Sequence, residues 1–151
     1  AVIYGVTGGV AEAVVRYCLP DKSNNALQAI RVTDLRGDGA IREVNLTVEG
    51  QELHLAIVNG LSHAKELIAD VEAGKRFYHL VEVMTCQGGC VGGAGQPYGL
   101  TAAKKRRGAG LYEADSSAMF KRAEKNPIVT RLLEDYGPDR CHELLHVHYG
   151  E

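Results

Sequence analysis

The chain has 151 residues, 45% hydrophobic and 24% charged, a composition that fits one globular domain able to bury a core. Seventeen basic against nineteen acidic residues, a formal net charge of −2, give no electrostatic footprint for nucleic acid or an anionic membrane. No apolar run approaches the roughly 20 residues that span a bilayer, the first residues lack a signal peptide's basic leader and cleavage pattern, and four irregularly spaced cysteines are no secreted disulfide framework.

In chain order, Ala1-Val2-Ile3-Tyr4 reads as a buried strand, and a chain that opens in mid-strand without a methionine reads as a fragment of a longer one. Gly5-Val6-Thr7-Gly8-Gly9 breaks that strand. A helix follows from Val10, with Val10, Ala13, Val14 and Tyr17 on one apolar face and Glu12 and Arg16 paired at i,i+4. Pro20 to Asn25 is a loop, Ala29 to Leu35 a β-branched strand, and Arg36-Gly37-Asp38-Gly39 a turn. Val44, Leu46 and Val48 alternate with polar residues, as do Leu53, Leu55 and Ile57 after Glu49-Gly50, which predicts a hairpin. Ser62 caps a helix to about Ala73, stopped by Gly74, and Tyr78 to Val83 is a further buried strand. Beyond a glycine-rich stretch from Thr85 to Gly99 the chain is mostly helical. One helix runs from Asn126-Pro127 through Glu134, and a last one lies near Cys141 to His146. The pattern is α/β, a small mixed sheet flanked by helices in one unit, 1–151.

The segment Glu82-Val83-Met84-Thr85-Cys86-Gln87-Gly88-Gly89-Cys90-Val91-Gly92-Gly93-Ala94-Gly95-Gln96-Pro97 carries the most chemistry. A buried strand delivers Cys86 into a loop with five glycines before Pro97. Glycines let backbone approach a bulky ligand and direct N–H groups at it. Two thiolates with three intervening residues can ligate one iron–sulfur cluster. The plainer reading is a pair of buried cysteines in a turn-rich connection. Zinc fits less well, because no second cysteine or histidine pair stands at finger spacing. Two thiolates do not complete a cluster, so the other ligands would come from Cys18, Cys141 or chain outside this sequence.

Met84 to Pro97 resembles the third cysteine signature of the iron-only ([FeFe]) hydrogenases. Three more stretches agree, in order. Tyr4-Gly5-Val6-Thr7-Gly8-Gly9-Val10-Ala11-Glu12-Ala13 resembles the family's Phe-Gly-x-Thr-Gly-Gly-Val-Met-Glu-Ala, and Val58-Asn59-Gly60-Leu61-Ser62-His63-Ala64 resembles the segment after its hairpin. Cys141-His142-Glu143-Leu144-Leu145-His146-Val147-His148-Tyr149 resembles its C-terminal His-x-Leu-Leu-His-x-x-Tyr.

The resemblance implies one lobe of the hydrogenase catalytic domain and a reversible proton-reducing site. In the family that site is a [4Fe–4S] cluster joined through one cysteine sulfur to a two-iron unit bearing carbon monoxide, cyanide and a dithiolate. Cys86 matches the third cluster ligand and Cys90 the fourth, whose sulfur bridges to the two-iron unit. Met84 matches a methionine packed by that unit. Tyr4 matches an aromatic lining the same pocket, and Gly5 lies against the dithiolate. The family's first two cysteine signatures are absent here. Tyr4 replaces Phe, Ala11 replaces Met, and Gln87 replaces Pro or His. Glycine N–H groups facing sulfur would stabilise negative cluster charge. The implied partners are the remaining N-terminal part of the domain and an electron carrier such as ferredoxin, with neither nucleic acid nor membrane. The implied location is cytoplasmic. The fragment alone is expected to be inactive, without its iron groups, and to self-associate.

Other patterns compete with this reading. His142-Glu143-Leu144-Leu145-His146 is a literal zinc-peptidase motif, but no downstream residue supplies the usual third ligand. Gly5 to Gly9 between strand and helix could cradle phosphate, although tight packing accounts for it better. Lys104-Lys105-Arg106-Arg107 reads as a solvated helix face rather than a nucleic-acid signal, and Arg36-Gly37-Asp38 as a turn rather than an integrin motif. Cys18 reads as a packed small hydrophobe, and Cys141, at the start of the last helix, has no partner in sequence. Hydrogenase-like proteins that assemble or sense iron–sulfur clusters share the third signature and form the nearest alternative.

Overall fold

The computed structural model describes residues 2–19, 32–37 and 39–147. The hairpin lies where residue alternation puts it: β1 (Ile41–Val48) pairs antiparallel with β2 (Gln51–Asn59), setting Val44 opposite Leu55 and Leu46 opposite Leu53. Glu49 and Gly50 both take positive φ, 50° and 79°, the handedness that suits a two-residue hairpin turn. β3 (Leu80–Met84) adds to β2 in parallel, giving a mixed sheet of order β1-β2-β3 with β2 central. Leu55 to Asn59 are accordingly buried on both faces. A parallel pair needs a crossover, and α2 (Leu61–Glu72) supplies it.

Helices cover the sheet with two separate apolar clusters. Ala64 and Leu67 of α2 pack with Ala56 and Val58. Ala11 and Val15 of α1 (Gly9–Cys18) pack with Leu35, Leu46, Leu55 and Ile57. A third cluster of Ile3, Val6 and Val91, with Leu111 and Tyr112, ties the N-terminal residues and the cysteine loop to α3 (Thr101–Ser117). The last helix, α4 (Pro127–Leu145), begins at Asn126, whose side chain accepts from Ile128 N at 3.0 Å. It breaks at Gly137 (φ 73°, ψ 163°), whose backbone is not helical, ahead of Pro138, so α4 is two helices in succession, as expected here. Among the described residues no helix is long and apolar enough to cross a membrane.

Several expectations change. Val2–Gly5 is a 3-10 turn, not a strand: Ile3 alone is buried, and its carbonyl accepts from Val6 N. Val32–Leu35 is likewise a 3-10 turn, its Leu35 carbonyl taken by the Arg42 guanidinium instead of a ladder partner. The Pro20–Asn25 loop, residues 29–31, Asp38 and the tail from His148 lie outside the described residues. Ser62 is no cap; Gly60 holds that position without a side-chain bond, while Gly74 does close the helix with φ 68°. β3 starts at Leu80, two residues later than expected.

The largest correction concerns α1. Its expected apolar face points outward, with Val10 41%, Val14 39% and Tyr17 61% exposed, while Glu12 and Arg16 are buried. The inversion holds because Glu12 and Arg16 find charged partners inside, as described below. Cys18 is exposed too, not a packed hydrophobe.

Candidate metal centre

β3 hands the chain to a series of tight turns. Gly89 N donates to Cys86 O at 2.9 Å, Gly92 N to Gly89 O at 3.0 Å and Gly93 N to Cys90 O at 3.1 Å. Gly88 N goes to the Asn59 side chain at 3.2 Å. The loop therefore spends these N–H groups on holding itself, and they are not free to face sulfur as the sequence suggested. Glycine is needed at Gly89 because φ is 87° and a Cβ there would lie 2.8 Å from Gly5 O and 3.0 Å from Thr7 N. Cys86 and Cys90 are both free and exposed, which removes the reading of two buried structural cysteines. A Cβ on Gly93 would stand 3.3 Å from Cys86 Sγ, so the missing side chain keeps space beside that thiol.

Tyr4 and Gly5 reach the loop through backbone. Thr7 N donates to Gly88 O at 3.3 Å, and Gly5 to Thr7 line the back of Gly89. The Tyr4 side chain is 42% exposed. Met84 ends β3 two residues before Cys86, its carbonyl accepting from Gly60 N at 2.6 Å. Structure thus brings Gly5, Met84, Cys86 and Cys90 to one loop, with Tyr4 adjoining Gly5 in the chain.

Behind the loop, sequence reasoning missed Glu82. Its carboxylate accepts from Gly8 N at 2.7 Å and Ala11 N at 2.6 Å, so one buried side chain caps α1 from a distant strand. That fills the anion position a phosphate would have taken. Tight packing at Gly5 to Gly9 is also visible, since a Cβ on Gly8 or Gly9 would lie 1.8 Å from a carbonyl oxygen. The one signal in the sequence was an acid between valines in an apolar strand.

A second buried polar group joins α1 to α3. Arg16 donates to Glu12 Oε1 at 2.5 Å and to both Asp115 oxygens at 2.8 and 2.7 Å, while Arg36 forks onto Glu12 with two bonds of 2.8 Å. Two guanidiniums and two carboxylates compensate each other, which makes burial of the set tolerable. Burial alone would raise Asp115, but the Arg16 hydrogen bonds and the charges of Arg16, Arg36 and Lys121 hold it below its ordinary value of 3.8. The Arg36 guanidinium also lies 4.5 Å from the Tyr112 ring centroid. Arg107 is not part of a solvated face: it donates to Val91 O at 2.9 Å and Pro97 O at 2.5 Å, stapling the loop to α3. A cavity of about 470 Å3 opens beside the loop, lined by Thr7, Asn59, Gly88, Val91, Lys104 and Tyr112 among others.

The remaining candidates stand apart. Cys141 is buried inside α4, its Sγ 3.5 Å from Leu132 O. His142 and His146 stack face to face with centroids 4.3 Å apart, and Glu143 is paired with Arg140 at 2.7 Å. Among the described residues no three His, Cys, Asp or Glu side chains gather as a metal site, so neither Cys18 nor Cys141 joins Cys86 and Cys90.

Comparison with known proteins separates two stretches. Residues 1–94 match the family described as iron only hydrogenase large subunit, C-terminal domain, and residues 101–151 that described as iron hydrogenase small subunit. The chain is 37% identical over 155 residues to the NADP-reducing hydrogenase subunit HndD of Solidesulfovibrio fructosivorans, covering 99% of this chain and 26% of that protein. A probable cytosolic Fe-S cluster assembly factor of Drosophila ananassae is 29% identical over 95% of this chain and 31% of its own length. The solved [FeFe]-hydrogenase of Chlamydomonas reinhardtii superposes with a TM-score of 0.68 at 31% identity, over 97% of this chain and 45% of that one. The chain thus spans about a quarter to a third of these curated relatives.

Proposed function

The chain belongs to the iron-only hydrogenase large-subunit family, and from that premise we propose that its parent protein interconverts protons and hydrogen, with Cys86 and Cys90 as two of the four cysteine ligands of a [4Fe–4S] cluster. The observation that carries this reading is the pair of free, exposed thiols in one glycine-rich loop, where the absent side chain of Gly93 keeps space beside Cys86 Sγ. Such a donor set fits part of a thiolate-ligated cluster and does not suffice for one. When bound, the cluster and its two-iron unit supply electrons and an open metal position.

The chain's own residues do the rest. Cys86 and Cys90 present sulfur from a loop fixed to β3, α3 and the N-terminal turn. Tyr4, Gly5 and Met84 line the space around them. The outward faces of α1 and β3, with Val10, Val14, Val81 and Val83 each about two-fifths exposed, offer an apolar surface to the rest of the domain. The electron partner is a ferredoxin-type carrier and the setting cytoplasmic. Alone, this chain supplies two thiolates, carries no two-iron unit, makes no hydrogen and self-associates through that apolar surface.

A second reading follows from the 29% identity to an assembly factor: the same thiolates would hold an iron–sulfur cluster that turns over no hydrogen. The 37% identity to a hydrogenase subunit favours the first. The test is Cys90→Ser in the matured parent protein. Hydrogen turnover and the infrared bands of carbonyl and cyanide are expected to vanish together. Wild-type bands in that variant would refute the ligand assignment, and a wild-type parent with a cluster but no such bands would favour the assembly reading.

A further inference from the structure

Asn59 closes β2 inside the Val58 to Ala64 stretch, for which ligand chemistry gives no role. It is 3% exposed, and both the oxygen and the nitrogen of its side-chain amide are bonded. Oδ1 accepts from Thr7 Oγ1 at 2.7 Å and from Gly88 N at 3.2 Å, while Nδ2 donates to Gly39 O at 2.6 Å. The three partners sit on three segments: the N-terminal pocket stretch, the cysteine loop and the turn before β1. Asn59 cannot slide to follow them, because its own N–H donates to Ala40 O at 2.8 Å and its carbonyl meets His63 Nδ1 at 2.6 Å. Thr7 N returns a bond to Gly88 O at 3.3 Å, so the cysteine loop and the Tyr4–Thr7 stretch are linked both directly and through one rigid amide.

We propose that Asn59 is a positioning residue that sets the spacing between the cysteine loop and the segment carrying Tyr4 and Gly5. It thereby fixes the surroundings of a metal group held at Cys86 and Cys90, and the proposal rests on that ligand reading. Asn suits the task because one planar amide offers an acceptor to two segments and a donor to the third. Asn59→Ala removes all three bonds and leaves buried polar groups unpaired. Ile57→Val takes a methylene from the buried core of β2 and leaves all three bonds in place. The two variants therefore separate a spacing role from general support of the fold.

The test uses the full-length parent protein. In its metal-free form, hydrogen-exchange mass spectrometry with residue-level fragmentation reads the Gly88 amide. In its loaded form, infrared spectroscopy reads the carbonyl and cyanide bands. Asn59→Ala is expected to speed Gly88 exchange by about tenfold or more and to shift the bands, whereas Ile57→Val leaves the bands at wild-type positions. A purely structural role would lower the melting temperature of both variants without moving the bands of the folded protein, which would overturn the proposal. So would wild-type Gly88 exchange in Asn59→Ala. Should that variant not fold, Thr7→Val decides: it removes only the Thr7 Oγ1 bond to Asn59, and bands at wild-type positions there refute the spacing role. A wild-type parent without carbonyl and cyanide bands would sink the hydrogenase reading while leaving the exchange arm intact.

Discussion

Residues up to 94 and residues from 101 onward are built on different principles. The first stretch folds around a core: Ile3, Val15, Leu35, Leu55, Ile57, Val58 and Leu67 are all at most 2% exposed. In the second, among the described residues, Cys141 is the one buried apolar side chain, while Met119, Ile128, Leu145 and Val147 are each at least two-thirds exposed. α3 is fastened to the first stretch by Leu111 and Tyr112 packed on Ile3, Val6 and Val91, and by polar contacts: Asp115 on Arg16, Arg107 on the Val91 carbonyl, and the Arg36–Tyr112 contact. Family matches divide at the same place, 1–94 and 101–151. The lesson is that the first stretch makes most of the core and α3 is held to it by one apolar cluster together with a few directed bonds.

Breaking the stitch should have the largest effect. Asp115→Ala leaves Arg16 short of its partner in a buried site, a loss of about 3–5 kcal/mol by the usual cost of an orphaned buried charge, read as the urea midpoint of unfolding. A loss no larger than that of a surface substitution would mean that the two stretches are not joined through Asp115. The same carboxylate gives a pH signature. Its value is lowered on folding, so its contribution is complete above its unfolded value near 3.8 and disappears as pH falls below that toward the folded value. Wild-type stability should therefore fall below about pH 4 more steeply than that of Asp115→Asn. Parallel curves would exclude Asp115 as the source.

Within the core the expected effect is smaller. Ile57→Val removes one methylene from a fully buried site in β2 and should cost about 0.5–1.5 kcal/mol in the same denaturation series. Ile128→Ser, on the second stretch at 78% exposure, should change stability by no more than about 0.5 kcal/mol. A cost for Ile128→Ser equal to that of Ile57→Val would erase the distinction between the two stretches.

Sequence reading recovered the elements whose signal is local. The β1–β2 hairpin follows from strict alternation and a Glu49-Gly50 turn, and the end of α2 from the Gly74 stop, although its Ser62 cap does not hold. The cysteine loop announced itself through composition, and both of its thiols are free and exposed. What was not legible depends on partners far along the chain. The orientation of α1 inverts because Glu12 and Arg16 meet Arg36 and Asp115, 24 and 99 residues away, so an apolar-face rule points the wrong way. The 3-10 turns at Val2 and Val32 pair no strands, and β-branched composition alone does not distinguish a turn that buries one side chain from a strand. Glycine N–H groups aimed at sulfur were a fair guess that the loop's own turn bonds pre-empt.

The cap on α1 has a kinetic meaning. Helices commonly carry their own capping residue and can form early by local contacts. Here the N-terminal turn of α1 waits for Glu82, which lies 74 residues from Gly8 and 71 from Ala11. Closing so long a loop is entropically costly before any contact rewards it. α1 and β3 should therefore consolidate in one late, shared step, with the hairpin and α2 already present as a template. The cysteine loop, which begins at the end of β3, acquires its shape in that same step. A chain that has not reached this step holds Cys86 and Cys90 in no fixed relation to β3.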